Sequence, residues 1–381
     1  MPTLNCNTVR VGIKTKGKPR VSIGEGFSIV HNMLIGDCFH WETSVEASLP
    51  GIIEPYPSNE LRSGDGLSAA DETVSLINIL PLESYLECVV GSEMNPEAPS
   101  EFLKAHAVIS RSWALGKVLN LHNYGSLSAA VEPELLVGWD DTTGHHGFHV
   151  CSDDHCQRYQ GIQKINPAAL DAIRSTAGEV LSDSTGNVVD ARFSKCCGGT
   201  TELFSTCWQQ VDPPCLESFS DPWCDLSGLS HNKRNSLLAS ILKNYDLQTE
   251  NYGFRWTAEI SKSDVGDNLL RHFGRSVGEV LEIVPLHRGP SGRIDLLGIQ
   301  GTRGSLSLGK ELWIRRLLSS SHLYSSAFDI ETRGSSFILK GRGWGHGVGL
   351  CQIGAANMAA NGYDYRSILS FYYPGSHICN I

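Results

Sequence analysis

From residue 9 to 75, apolar and polar positions alternate between turn residues, as in VRVGI and VSIGEGFSIV, and this period predicts short β-strands. At Pro81 the period lengthens to that of a helix and holds to about Leu121. Residues 122–185 are mixed and polar. The stretch VVDARFSKCCGGTTELF reads as a strand followed by a Gly-Gly turn, and residues 212–231, with their prolines, as a long surface loop. HNKRNSLLASILKNY predicts a helix. Strand-turn alternation returns over 254–340, with turns at RGPSGR and GTRGS. The tail from Gly349 to Tyr373 is helical again, broken at Asn361-Gly362.

The order β, α, β, α predicts an α+β fold, with a helical core packed against antiparallel β segments, rather than a doubly wound sheet. It divides the chain into a β-rich segment (1–75), a helical core with a His/Cys loop (76–210), a loop, helix and β-rich segment (211–340), and a Gly-rich end with helices that completes the core (341–381).

The 381 residues are 41% hydrophobic and 19% charged, an ordinary globular composition able to bury a sizeable core. The net charge of −10, without a long Lys/Arg run, argues against a nucleic-acid partner. No apolar run approaches the roughly 20 residues of a transmembrane helix. The start, MPTLNCNTVRVGIKTKGK, lacks the apolar core of a secretory signal: either the protein stays inside the cell or a signal has already been removed. The 12 cysteines are scattered, which excludes a disulfide-stapled mini-protein; Cys207, Cys215 and Cys224 are the closest-spaced group for disulfides.

In PLESYLECVVGSEM the apolar stripe is Leu82, Tyr85, Leu86, Val89 and Val90. The same period brings Glu93 onto that stripe, with Glu83 and Glu87 on the opposite, solvated face. A carboxyl pressed against apolar surface is the arrangement that general acid catalysis at neutral pH uses. The alternative is that Gly91 ends the helix and Glu93 is a solvated loop residue. PSEFLKAHAVISRSWALGKVL predicts a well-buried helix carrying Lys104 and Arg111 on one face, two turns or about 10 Å apart. Such cations need an anion nearby, from structural carboxylates or from a ligand.

GHHGFHVCSDDHCQRY packs four histidines and two cysteines between His145 and Cys156. Thiolate and imidazole together suit zinc. Cys151, His155 and Cys156 converge if Ser152-Asp153-Asp154 turns back; His145 is the fourth ligand, with His146 and His149 in reserve. The competing reading is a Cys pair, reduced or disulfide-linked, beside surface histidines.

In GRGWGHGVGLCQIGAA glycine alternates from 341 to 349 around Trp344 and His346. Glycine lets backbone approach a neighbour closely beside Trp344 and His346; equally, the run serves as a tight strand-to-helix connection.

ILPLESYLECVVGSEMNPEAPSEFLKAHAVISRSWAL resembles the signature of the SpoIID/LytB family, named for stage II sporulation protein D and an amidase enhancer. The resemblance continues through the His/Cys loop, ARFSKCCGGTTE and GRGWGHGVGLCQIGAANMAANGYDYRSILSFYYPG, from about residue 76 to 376, with a divergent middle at 210–280. His106 stands where the family usually has glutamine, Cys196-Cys197 where Ser or Thr is common, and the loop between Cys151 and Cys156 is one residue shorter.

By position the resemblance implies Glu93 as the catalytic glutamate, Lys104 and Arg111 as its basic supports, and His145, Cys151, His155 and Cys156 as ligands of a structural Zn2+. It implies a lytic transglycosylase that cleaves the MurNAc-GlcNAc bond of peptidoglycan glycan strands without water, leaving 1,6-anhydro-MurNAc ends. The candidate substrate contacts are Ser194, Lys195, Gly198, Gly199, Trp344, His346 and Gln352, expected to line one cleft with Glu93. The family also implies a rival, a non-catalytic wall-binding protein that enhances an amidase. A zinc hydrolase centred on the His/Cys loop is the weaker third reading, since four protein ligands leave no open position for water.

Overall fold

Val9, Val11 and Ile13 are wholly buried, one face of a strand that anchors the first half of the molecule. The structure, a computed structural model, describes residues 8–36, 42–56, 74–121, 130–139, 145–243 and 250–381. Two compact units emerge. The first comprises Met1–His122, Asp141–Asp190 and His377–Ile381; the second comprises Asn123–Asp140 and Ala191–Ser376. The division falls at residue 190, inside the 76–210 segment that the sequence suggests as one core.

In the first unit, Thr8–Lys14 pairs antiparallel with Val74–Pro81, which pairs in turn with Ile52–Pro55; Val150–Cys151 joins the other edge in parallel. Gly12 is required in that strand, because a Cβ there would meet the Phe148 ring at 2.7 Å. A three-stranded sheet of Val21–Ile23, Phe27–Ile35 and Thr43–Pro50 buries Val30, Met33, Ala47 and Leu49. Helix α1 (Leu82–Glu93) follows directly from the 74–81 strand, and helix α2 (Ser100–Val118) packs against it. The buried residues of α2, from Phe102 and Leu103 to Ala114 and Leu115, cover most of its circumference, as its sequence predicts. The C-terminal strand His377–Asn380 returns to pair with Glu179–Ser182.

The second unit carries a five-stranded sheet in the order Val280–Arg288, Ile294–Gly301, Gly304–Gly309, Leu135–Val137, Ala130–Glu132. A three-stranded sheet sets Ser336–Arg342 between Arg255–Ser261 and Phe328–Arg333. Between them lies an apolar core including Trp256, Leu269, Ile283, Leu297, Ile314 and Phe337. The turns expected at RGPSGR and GTRGS join neighbouring antiparallel strands. Two helices, Lys262–Phe273 and Glu311–Leu317, interrupt what the alternation over 254–340 presents as strands alone. The tail helices Gln352–Ala360 and Tyr365–Tyr372 separate at Asn361-Gly362, where Gly362 takes a φ of 89°. Helices and mainly antiparallel sheets make the fold α+β. Among the described residues no helix is long and apolar enough to cross a membrane.

Candidate functional site

Helix α1 runs through Gly91 to Glu93. Gly91 does not end the helix; it admits a neighbour, for a Cβ there would stand 2.2 Å from the Lys164 carbonyl oxygen. Leu82, Tyr85, Leu86, Val89 and Val90 are all buried, and Glu93, continuing their face, is only 7% exposed. One oxygen of its carboxylate, Oε1, accepts a hydrogen bond from the Arg158 amide at 2.9 Å. One residue earlier in the helix, Ser92 Oγ donates to the Cys88 carbonyl at 2.6 Å and accepts from the Gln160 amide at 3.0 Å. Residues 158–160 thus strap the end of α1 through two amides. The connecting side chains tighten the strap: Tyr85 donates to Gln157 at 3.1 Å, and the Tyr85 and Tyr159 rings stack at 5.5 Å.

That strap begins immediately after the His/Cys loop. Ligand atoms of His145, Cys151, His155 and Cys156 all lie within 4.8 Å of one another. His155 Nδ1 stands 3.7 Å from Cys151 Sγ and 3.6 Å from Cys156 Sγ. The reversal expected at Ser152-Asp153-Asp154 is closed by the Cys156 amide donating to the Asp153 carbonyl at 2.9 Å. His145 directs Nδ1 to the His149 carbonyl at 3.3 Å, which leaves Nε2 for a metal, the second-sphere arrangement that fixes an imidazole ligand. His149 is engaged elsewhere, its Nδ1 accepting from the Arg10 amide at 3.1 Å. A hydrogen bond from Cys156, helped by His145 and His155 against the opposing effect of burial, holds the Cys151 thiol well below its ordinary value. Two sulfurs and two imidazoles at this spacing fit a tetrahedral zinc ion.

The two cations of α2 are partnered by carboxylates. Lys104 Nζ donates to Glu101 Oε1 at 2.6 Å within the same helix. Arg111, fully buried, forms a fork with Glu83: Nε to Oε1 at 2.7 Å and Nη2 to Oε2 at 2.9 Å. It also donates to the carbonyls of Glu179 and Ile173 at 3.1 and 3.4 Å. Glu83 therefore does more than face solvent; with its side chain 46% exposed, it ties α1 to α2 through Arg111.

The remaining candidates belong to the second unit. Ser194 and Cys351 pair in a short parallel ladder, and Ser194 is 6% exposed. The half-buried Lys195 accepts the Ile353 amide on its carbonyl at 3.2 Å. Gly198 and Gly199 take φ of 82° and 104°, and a Cβ on Gly198 would meet the Gly343 amide nitrogen at 2.8 Å. Trp344 exchanges both backbone hydrogen bonds with Cys196 and packs edge-on against Tyr324 at 5.6 Å, leaving 8% of it exposed. His346 Nδ1 accepts from the Val348 amide at 3.0 Å, and its ring lies 4.9 Å from Trp208. Desolvation, with the charges of Arg192, Arg293 and Arg315, lowers its pKa to about 3, so the ring is neutral at pH 7. Gln352, the first residue of its helix, is buried.

The residue that organises the glycine run is one the sequence reading passed over. Arg293, wholly buried, lies at the end of RGPSGR and is ringed by Gly343, Gly345 and Gly347. Its Nη1 also donates to Ser291 Oγ at 2.8 Å, and Ser291 donates to the buried Glu202 at 2.6 Å, so a cation and an anion are joined through one hydroxyl. Sequence pattern carries no signal for these partnerships, which link Arg293 to Gly345 across 52 positions and Ser291 to Glu202 across 89. Cys207, Cys215 and Cys224 do not form the disulfide group that their spacing suggests; Cys6 and Cys38 lie outside the described residues.

Residues 70–182 match the family described as Stage II sporulation protein, a span holding Glu93, Lys104, Arg111 and the whole His/Cys group. Residues 202–349 match a family described as Domain of unknown function (DUF8618). The chain is 29% identical over 314 residues to an uncharacterized protein of Brachyspira hyodysenteriae, covering 81% of this chain and 69% of that one. It is 24% identical over 299 residues to Stage II sporulation protein D of Bacillus subtilis, covering 78% and 74%. To the Amidase enhancer of Bacillus subtilis it is 24% identical over 314 residues, covering 76% of this chain and 40% of that one.

Proposed function

The chain belongs to the SpoIID/LytB family, and on that premise we propose that it is a peptidoglycan lytic transglycosylase with Glu93 as its acid and base. The observation that carries this reading is the setting of Glu93: a buried carboxyl at a helix end, oriented through one oxygen by the Arg158 amide. A transglycosylase needs one carboxyl group. Protonated Glu93 gives its proton to the glycosidic oxygen as the bond from the MurNAc anomeric carbon to that oxygen breaks. The resulting carboxylate takes the proton of the muramic C6 hydroxyl while that oxygen bonds to the anomeric carbon. The proton count closes, Glu93 is restored, and no water enters; hydrolysis by contrast employs a carboxylate pair.

His145, Cys151, His155 and Cys156 would hold Zn2+, whose part is structural because four protein ligands leave no position for substrate. Their fixed loop would hold the 158–160 strap, and the strap would hold Glu93. Arg111 acts through Glu83 to set α1 on α2, a positioning role. Lys104, paired with Glu101 and with its side chain 29% exposed, is the cation assigned to the glycan in this reading. This chemistry requires access to the wall, hence a periplasmic or wall-facing location.

The match to the Amidase enhancer favours a second reading, a wall-binding protein that acts on an amidase without cutting glycan itself. Incubation of the purified protein with peptide-free glycan strands, followed by mass spectrometry, separates the two. Anhydro-muramyl ends produced by the protein alone support the enzyme; intact strands support the enhancer.

A further inference from the structure

Three separate stretches of the second unit bring sulfur and carboxylate groups together in its interior. Cys196 and Cys197 follow the strand Phe193–Ser194, Asp221 and Cys224 frame the turn Pro222–Cys224, and Cys351 caps the helix Gln352–Ala360. None of the five is more than 2% exposed. Ligand atoms of Cys197, Asp221, Cys224 and Cys351 all lie within 4.8 Å of one another. Cys197 Sγ is 3.2 Å from Asp221 Oδ2, and Cys196 Sγ is 3.4 Å from Cys224 Sγ. The second distance far exceeds a disulfide bond of about 2.0 Å, and every one of these thiols is free.

Backbone amides are aimed at the sulfurs. Gly199 donates to Cys197 Sγ at 3.4 Å; Cys197 and Gly354 donate to Cys351 Sγ at 3.3 and 3.4 Å. A neutral thiol is a weak acceptor, whereas amides converging on sulfur suit a thiolate bound to a cation. The carboxylate is held in the same manner. Asp221 Oδ1 accepts the amides of Trp223 and Cys224 at 3.0 and 3.3 Å, and Oδ2 accepts the Tyr372 hydroxyl at 2.9 Å. Arg293 donates to the Cys197 carbonyl at 3.3 Å, placing a buried positive charge beside the anionic group.

We propose that these residues form a metal site, a single Zn2+ held by Cys197, Cys224, Cys351 and Asp221. With zinc about 2.3 Å from sulfur and 2.0 Å from oxygen, a tetrahedron has S···S edges of about 3.8 Å and S···O edges of about 3.5 Å. The Cys197–Asp221 separation of 3.2 Å is close to that S···O edge, and all four ligand atoms lie within 4.8 Å of one another, a cluster that one ion can draw together. Cys196 stands outside the ligand set as a hydrogen-bond donor to Cys224. Four protein ligands close the site, so its function is to pin the Gly-Gly turn, the 212–225 loop and the glycine-rich segment to one another. The site lies in a different unit from the His/Cys loop and is independent of the transglycosylase reading.

The test is metal content of the full chain produced in zinc-supplemented medium. Wild-type protein is expected to carry about two zinc ions per chain, and the double variant Cys151→Ser/Cys156→Ser about one. That loop variant, reloaded with Co2+, should show the intense near-ultraviolet charge-transfer absorption of thiolate-bound cobalt. Cys224→Ser should lose one ion, and Cys196→Ser should keep both. If Cys224→Ser does not fold, alkylation of the loop variant reads the same site: Cys197, Cys224 and Cys351 should become reactive only once a strong chelator is added. A loop variant with neither zinc nor the cobalt absorption overturns the proposal. So does an unreduced protein whose peptide map contains a Cys196–Cys224 disulfide, or a Cys196→Ser variant that loses an ion.

Discussion

Arg293 donates to the Gly345 carbonyl from both Nε and Nη2, at 3.1 and 3.0 Å, and the glycines on either side of Gly345 exist to let it do so. A Cβ on Gly347 would stand 2.5 Å from the guanidinium carbon, and one on Gly343 2.7 Å from a guanidinium nitrogen. Both glycines take positive φ, 80° at 343 and 78° at 347. Gly347→Ala should therefore cost about 1–2 kcal/mol for the backbone and about 1–3 kcal/mol more for overpacking. Gly362→Ala has a φ of 89° but nothing within 4 Å, so it should cost the backbone contribution alone. Denaturant unfolding of both variants checks the difference; equal losses would mean that Arg293 does not depend on the glycine collar.

His346 predicts an acid sensitivity of known sign. Its pKa is about 3 in the folded protein, against about 6.5 in an unfolded chain. Folding thus favours the neutral ring, and its contribution is complete above pH 6.5 and lost as pH falls toward 3. His346→Asn retains an acceptor for the Val348 amide and cannot titrate. Melting temperature measured from pH 7 to pH 4 should fall less steeply in this variant than in the wild type. Parallel profiles would contradict the lowered pKa of the ring.

The two cations of α2 should separate in mutagenesis. Arg111→Ala removes a buried fork to Glu83 and strands two carbonyls, so stability should drop by about 2–3 kcal/mol. Lys104→Ala breaks an i,i+3 pair that is partly open to water and should change stability by about 0.5 kcal/mol or less. Turnover on glycan should nevertheless fall in Lys104→Ala. Full turnover there would make Lys104 one more helix-surface ion pair.

Removal of the loop metal should loosen Glu93 indirectly. Cys151→Ser, which leaves the second metal site intact, is expected to lower the melting temperature, because binding of a structural zinc is coupled to folding. Hydrogen exchange at the Arg158 and Gln160 amides should accelerate, since these two amides hold Glu93 and Ser92. Unchanged exchange at both would uncouple the loop from the glutamate.

How far these features were legible in the sequence follows from the range of the interactions behind them. The stripe from Leu82 to Val90 announced α1 and put Glu93 on its buried face because helical period is local. His145, Cys151, His155 and Cys156 were legible for the same reason, all four lying within one short loop. The helix Lys262–Phe273 was also marked locally, by Ser261 capping Asp264 and by Gly274 in the left-handed region, and was passed over amid strand alternation. Other features depend on long-range closure. Nothing near RGPSGR indicates that Arg293 will be enclosed by glycines 50 residues later, and nothing near Cys351 points to Cys197 or Cys224. The pairing of Arg111 with Glu83 required the packing of two helices, which a single-helix projection of Glu83 onto the solvent face does not contain.

The measurement that tests the central claim most directly compares wild type with Glu93→Gln on purified glycan strands, with muropeptides read by mass spectrometry. Glutamine preserves the shape and still accepts from the Arg158 amide, but it has no carboxyl proton to give. Loss of a positioned general acid and base typically costs 10²–10⁴-fold or more in rate. The account predicts anhydro-muramyl products from the wild type and a loss of at least about 100-fold in the variant, with melting temperature and metal content unchanged. Equal product yield from a folded Glu93→Gln protein would contradict it.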